Sequence, residues 1–174
     1  MQQRLYIMIG CPGSGKTTFA KNVLLAPGTS PSVYISRDEI RFSLLKEGED
    51  YFTREKEVYR EFIFQIYDAL KKNKNVIVDA THLNTKSRNK LFKNIPNDLS
   101  NVEVVAIYMR TPLEICIERN EKRKGTKAYV PIENLRKMFF AIQPPTIEEN
   151  NHIFDIILTI NEKGFVIKRE TQRS

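Results

Sequence analysis

Cysteine is scarce in this chain: Cys11 and Cys116 are the two among 174 residues. Two thiols so far apart in sequence make no disulfide framework, so the core has to come from apolar packing, and a reducing, cytoplasmic setting is the expectation. No apolar run approaches the ~20 residues that a membrane-crossing helix needs. The N-terminus lacks the charged, apolar and small-residue order of a secretory leader, so no membrane association is expected. Internal repeats and low-complexity tracts are also missing, and the length suits one core, so residues 1–174 are expected to form one domain. What remains is ordinary globular composition, 41% hydrophobic and 28% charged, with a formal net charge of +7. A basic balance suits an anionic partner without saying which one. Lysines and arginines recur at 86–93 and 119–127, whereas 47–50 is acidic; solvated helix faces account for most of these charges.

One stretch rises above this background. Gly10-Cys11-Pro12-Gly13-Ser14-Gly15-Lys16-Thr17, followed by Thr18, fits G-x-x-x-x-G-K-[ST]. Glycines let backbone N–H groups crowd a polyphosphate, Lys16 reaches the β- and γ-phosphates, and the Thr17 hydroxyl suits Mg²⁺. A chance match in a chain this long is roughly a one-in-a-hundred event, and the context narrows it further. Leu5–Ile9 reads as a buried strand and Thr17–Leu25 as a helix, whose N-terminus attracts anions. A nucleotide with Mg²⁺ is therefore the expected ligand. Cys11 reads as a small loop side chain, although helix N-termini lower thiol pKa values.

Further strands alternate with helices. Val33–Ser36 is a second strand, and Asp38 stands where it hands over to a helix, at the edge where open α/β sheets bind ligands. A long helix opens at Thr53, with Tyr59, Phe62, Ile63, Ile66, Tyr67 and Leu70 on one stripe as core or cleft wall. Val76-Ile77-Val78-Asp79 looks like a buried parallel strand ending in a Walker-B-like carboxylate, which makes Asp79 a second metal candidate. His82 follows in a loop, where a structural hydrogen bond is the commoner role. A strand at 102–108, helices at 113–122 and 131–142, a capping-box pattern at Thr146-x-x-Glu149 and a strand at 155–160 complete the order, with 161–168 as a closing hairpin. Arg119 to Val130 is basic and broken by Gly125, the makings of a cationic lid.

Asp-x-x-Gly and Asn-Lys-x-Asp, which a GTPase needs, do not occur where they belong: Ala80, Thr81 and His82 follow Asp79, and 84–87 is Asn-Thr-Lys-Ser. Four blocks do occur in order: the glycine-rich loop, Ser36-Arg37-Asp38-Glu39-Ile40-Arg41, Val78-Asp79-Ala80-Thr81-His82-Leu83-Asn84, and Arg119-Asn120-Glu121-Lys122-Arg123-Lys124-Gly125-Thr126-Lys127. Together they resemble the bacteriophage polynucleotide 5′-kinase domain and its bacterial P-loop relatives, the zeta-toxin-like kinases. The resemblance implies a three-layer α/β sandwich of the P-loop kinase type, with a mostly parallel five-stranded sheet and a basic helical lid at about 119–142. It implies Asp38 as general base toward a 5′-hydroxyl of DNA or RNA and Arg41 on the neighbouring acceptor phosphate. It implies Arg123 on the ATP phosphates, with Arg119 as helper and Lys16 completing the catalytic set. Asp38 as a plain helix cap is the competing expectation. Lys124, adjacent to Arg123, leaves the lid register open by one residue. The 3′-phosphatase motif of the phage enzyme, Asp-x-Asp-Gly-Thr, is absent from the sequence. Transfer to a small metabolite or sugar nucleotide, and ATP-dependent switching without transfer, are the alternatives. Oligomeric state is not legible.

Overall fold

The computed structural model describes residues 1–96 and 98–172. A single sheet carries the fold. Its strands are β1 (Gln3–Ile9), β2 (Ser32–Ser36), β3 (Asn75–Asp79), β4 (Val102–Met109), β5 (Ile156–Ile160) and β6 (Val166–Thr171), in the order β2-β3-β1-β4-β5-β6. The first five run parallel and β6 returns antiparallel along the edge. The sheet thus has six strands where five were expected. The hairpin read at 161–168 is the reason: its second arm continues to Thr171 and pairs with β5 from Ile156 to Ile160.

The helices are α1 (Lys16–Phe19), α2 (Arg37–Leu44), α3 (Glu55–Lys71), α4 (Thr85–Asn94), α5 (Leu113–Glu121), α6 (Ile132–Phe140) and α7 (Glu149–His152). The expected first helix at 17–25 is α1 followed by a π-helical stretch, Ala20–Leu24, in which Leu25 N–H reaches back to the Ala20 carbonyl at 2.9 Å. Such widened turns concentrate at functional sites. Among the described residues no helix is long and apolar enough to cross a membrane.

Alternation along β1 builds the layers. Leu5, Ile7 and Ile9 enter one core with Val58, Phe62, Ile66 and Leu70 of α3. Met8, between them, enters a second core with Phe19 and Ala20 on the opposite face. On α3 the buried line is Val58, Phe62, Ile66, Ala69 and Leu70. Tyr59, Ile63 and Tyr67 of the expected stripe sit on its shoulder, half-buried.

Two buried polar groups tie the site-bearing loops to this frame. Arg88 of α4 has no exposed surface; it makes a fork to Glu149 (2.6 and 2.9 Å) and donates to the carbonyls of His82 (2.8 Å) and Gln143 (3.0 Å). Glu149 therefore serves Arg88 first. Only half of the expected capping box forms, the Thr146 N–H donating to Glu149 at 3.2 Å. His82 is buried in a left-handed backbone conformation (φ 46°), and its Nδ1–H donates to the Met8 carbonyl at 2.7 Å. The structural role for His82 is what the geometry displays.

Burial pushes the His82 imidazole from 6.5 down to about 4, against a raising influence from the Met8 hydrogen bond. The unfolded chain therefore takes up a proton that the folded one refuses, so stability is full above pH 6.5 and falls as pH drops toward about 4. Lowering pH from ~7 to ~5 is expected to cost about 2 kcal/mol in unfolding free energy through this residue. Denaturant titrations should find that slope flattened in His82→Asn, a side chain that tolerates left-handed backbone; an unchanged slope would assign the pH dependence elsewhere.

Candidate active site

Parallel pairing aligns the carboxyl ends of β1, β2, β3 and β4 on one edge, with β1 between β3 and β4. The loop 10–15 leaves β1 at this edge and is gripped by its neighbours. Gly10 N–H donates to the Thr81 carbonyl at 3.0 Å, and Thr111 Oγ1 donates to the Ser14 carbonyl at 2.7 Å. Gly13 has φ 80°, and a Cβ there would lie 2.5 Å from the Cys116 carbonyl oxygen, so the loop rests on the backbone of α5. Beneath it the two thiols meet, sulfur to sulfur at 3.2 Å, both buried. The Cys116 hydrogen bond and then the Lys16 charge pull the Cys11 thiol down against burial, while Cys116 is pushed up by that bond and by burial.

Lys16 opens α1. Its ammonium is buried and donates to the Cys11 carbonyl at 3.0 Å. Burial lowers its pKa; Asp79, Cys11 and Asp38 act on it as favourable charges and Arg123 as an unfavourable one. Its one hydrogen bond among the described residues is thus to the loop that it closes. Thr17 Oγ1 donates to Asp79 Oδ2 at 2.8 Å, and the Tyr34 hydroxyl of β2 donates to the same oxygen. Burial, then the Asp79 charge, drive the Tyr34 phenol upward, so it stays a donor.

Asp38 is not the cap of α2. Ser36 is, its Oγ accepting from Glu39 N–H at 3.2 Å. This leaves the Asp38 carboxylate, 55% exposed, to other partners: Arg41 Nη1 donates to its Oδ1 at 2.5 Å and the Tyr51 hydroxyl at 2.6 Å. The spacing of three residues puts Arg41 on the same helical face. Arg41 is itself buried and donates to Glu55 Oε2 at 2.6 Å. Arg37 donates to the other Glu55 oxygen. The Nε atoms of both arginines are buried with no partner among the described residues.

The basic segment reaches the loop from the end of α5. Arg119 donates to the Gly13 carbonyl (3.3 Å) and the Glu162 carbonyl (2.7 Å). With Gly13, Gly15, Thr18 and Arg123 it lines a cavity of about 530 Å³. Arg123, and not the exposed Lys124, faces that cavity. A second cavity, about 560 Å³, lies between Cys11, Arg110 and Phe139 of α6. Asp38 lines neither of the two.

A polyphosphate suits these residues. Ser14 Oγ is buried without a hydrogen-bond partner among the described residues, and the buried ammonium of Lys16 lacks a neutralising anion in contact there. Mg²⁺ suits Thr17 and Asp79, because this ion is held by one or two carboxylates together with substrate phosphates. Sequence reasoning missed Tyr34, Tyr51, Glu55 and Cys116, which are ordinary residues in their own segments and become partners only through long-range packing.

Comparison with known proteins agrees with this frame. The AAA domain family (AAA_33) matches residues 5–145. The chain belongs to that family of P-loop domains. Among its relatives is a protein of Autographa californica nuclear polyhedrosis virus, by name a bifunctional polynucleotide kinase/RNA ligase. It is 30% identical over 151 residues, which cover 79% of this chain and 20% of the relative. A protein of Acanthamoeba polyphaga mimivirus, by name a bifunctional polynucleotide phosphatase/kinase, is 30% identical over 165 residues, 91% of this chain and 33% of the relative. The chain thus spans a third or less of the length of these relatives. The structure of the Pnkp1/Rnl/Hen1 RNA repair complex superposes with TM-score 0.68 at 23% identity, covering 80% of this chain and 44% of that one. That likeness is one of fold: an α/β P-loop kinase sandwich with a mostly parallel sheet.

Gly13→Ala tests the seating of the loop. The added methyl meets both a left-handed backbone and the Cys116 carbonyl, so we expect unfolding free energy to fall by about 2 kcal/mol in denaturant titration. Wild-type stability in this variant would mean that the loop does not rest on α5.

Proposed function

We propose that residues 1–174 act as one ATP-dependent kinase domain, with 119–142 as its lid, that transfers the γ-phosphate of ATP to a 5′-hydroxyl end of DNA or RNA. The observation that carries this reading is the placement of Asp38: just past the exit of β2, on the sheet edge that also bears the phosphate loop, its carboxylate is freed from capping by Ser36 and held by Arg41. A carboxylate so placed has the chemistry of a general base. Asp38 takes the proton as the acceptor oxygen bonds to the γ-phosphorus, the bond from that phosphorus to the β–γ bridging oxygen breaks, and ADP leaves. Lys16 and Arg123 offset the charge that gathers on the transferring group, with Arg119 holding the loop side of the nucleotide. Thr17 and Asp79 would hold Mg²⁺, which when bound would supply further positive charge to the phosphate oxygens. Arg41, next to the base, offers a planar donor fork to an acceptor phosphate, a geometry that lysine does not reproduce.

Three further facts favour a polymer end as acceptor. Asp38 lies on open surface outside both cavities, whereas small-molecule sites are enclosed. Lys122, Lys124 and Lys127 of the lid and Lys86, Lys90 and Lys93 of α4 are exposed cations, as a strand of phosphates requires. Both viral relatives carry polynucleotide kinase activity in their names.

The test is transfer from labelled ATP to oligonucleotides with 5′-hydroxyl ends, beside nucleosides and sugars. Label on the small molecules but not on the oligonucleotide would overturn the acceptor assignment. Asp38→Asn is expected to retain ATP binding while losing transfer by about 10²–10⁴-fold. Arg123→Ala should lose about 10³-fold, and Lys124→Ala should stay within a few-fold; the reverse order would move the lid register by one residue. Acceptor affinity should fall with salt, the log–log slope growing by about −0.7 per neutralised phosphate, and a flat response would argue against a polymer.

A further inference from the structure

The turns between α2 and α3 bring to Asp38 a residue that the proposed transfer chemistry leaves without a task. Tyr51 donates its hydroxyl to Asp38 Oδ1 at 2.6 Å, and Arg41 Nη1 donates both to that phenol oxygen (2.7 Å) and to Asp38 Oδ1 (2.5 Å). An alcohol about to be deprotonated needs this same arrangement: its hydroxyl within hydrogen-bond reach of the base, its oxygen side facing the arginine. Arg41 and Phe52 hold the ring. The Arg41 guanidinium lies 4.0 Å from its centroid, and Phe52 meets it edge-on at 4.8 Å. Burial, followed by the Asp38 hydrogen bond, pushes the phenol upward, so the group remains a hydroxyl donor. Tyr51 is nonetheless 39% exposed and Phe52 70%, in a segment of turns outside α2 and α3. Such a segment can move without opening the core.

One hydroxyl position cannot hold two hydroxyls. We propose that Tyr51 is a placeholder that occupies the acceptor's position on Asp38 and Arg41, and that an acceptor enters only by displacing it. The inference rests on Asp38 being the base. Two consequences follow from the geometry. While Tyr51 is in place its hydroxyl, and not a water, sits on Asp38 Oδ1, so hydrolysis of ATP assisted through that oxygen waits for displacement. Displacement also favours alcohols that give Arg41 a better partner than a phenol oxygen. A phosphate beside the hydroxyl is such a partner, because charge-assisted hydrogen bonds are roughly twice as strong as neutral ones. Tyr51 thereby becomes a specificity-determining residue for nucleotide ends over simple alcohols.

Tyr51→Phe tests this, since it keeps the ring on Arg41 and Phe52 and removes the hydroxyl. Two readouts are needed: ATP hydrolysis without acceptor, and the kinetics of transfer to a 5′-hydroxyl oligonucleotide. The expected result is a rise of about fivefold in hydrolysis and a fall of about fivefold in acceptor KM, with kcat unchanged. Adding Asp38→Asn should return hydrolysis to its starting level, which ties the released water to the base. A lowered kcat with unchanged KM and hydrolysis would overturn the proposal and make Tyr51 a positioning residue for Asp38. No change in either readout would also overturn it. If the wild-type chain leaves oligonucleotides unlabelled, the acceptor assignment fails by itself, and the hydrolysis comparison still decides the role of Tyr51.

Discussion

Parallel pairing of β1 with β3 on one side and β4 on the other is the constraint from which the site follows. Strands that run the same way end on the same edge. Whatever each strand carries at its exit is therefore delivered to one place: the glycine-rich loop from β1, Asp79 from β3 and, through β2, Asp38. The loop keeps its shape because it is held from several sides, by the Thr81 carbonyl after β3, the Thr111 hydroxyl after β4 and the backbone of α5 beneath Gly13. A lysine with its ammonium buried at the centre of this arrangement is costly unless anions come to it. The fold brings the carboxylates of Asp79 and Asp38 to the same sheet edge.

The Asp38 side is built differently. Asp38, Arg37, Arg41 and Glu55 form a cluster of two positive and two negative groups. Glu55 holds both arginines from α3, so the position of Arg41 beside Asp38 depends on how α2 packs on α3. Ser36 matters as much, although its hydroxyl takes no part in the proposed transfer. By capping α2 it relieves Asp38 of the task that aspartate most often has at a helix start.

Legibility follows the range of the interactions. The phosphate loop, the Thr17–Asp79 pair and the strand–helix alternation rest on contiguous motifs and on periodicity, and these appear where the sequence pattern puts them. The Asp38–Arg41 pair was legible too, because three residues along a helix is a fixed geometry. Tyr34, Tyr51, Glu55 and Cys116 were not. Each meets its partner across a separate element: Cys116 lies 105 residues from Cys11, and Tyr34 lies 45 from Asp79. No local pattern records such a meeting. The sixth strand was half legible, since the hairpin turn is local whereas its pairing length along β5 is not.

By itself, then, the sequence determined the layer architecture, the nucleotide loop and the chemistry available at the strand exits, because backbone sterics and side-chain period act over a few residues. Tertiary packing alone decided that Ser36 and not Asp38 caps α2, that Arg123 and not Lys124 faces the loop, and that a tyrosine stands beside Asp38. Each of those outcomes depends on which surfaces meet, and that depends on the whole sheet being assembled.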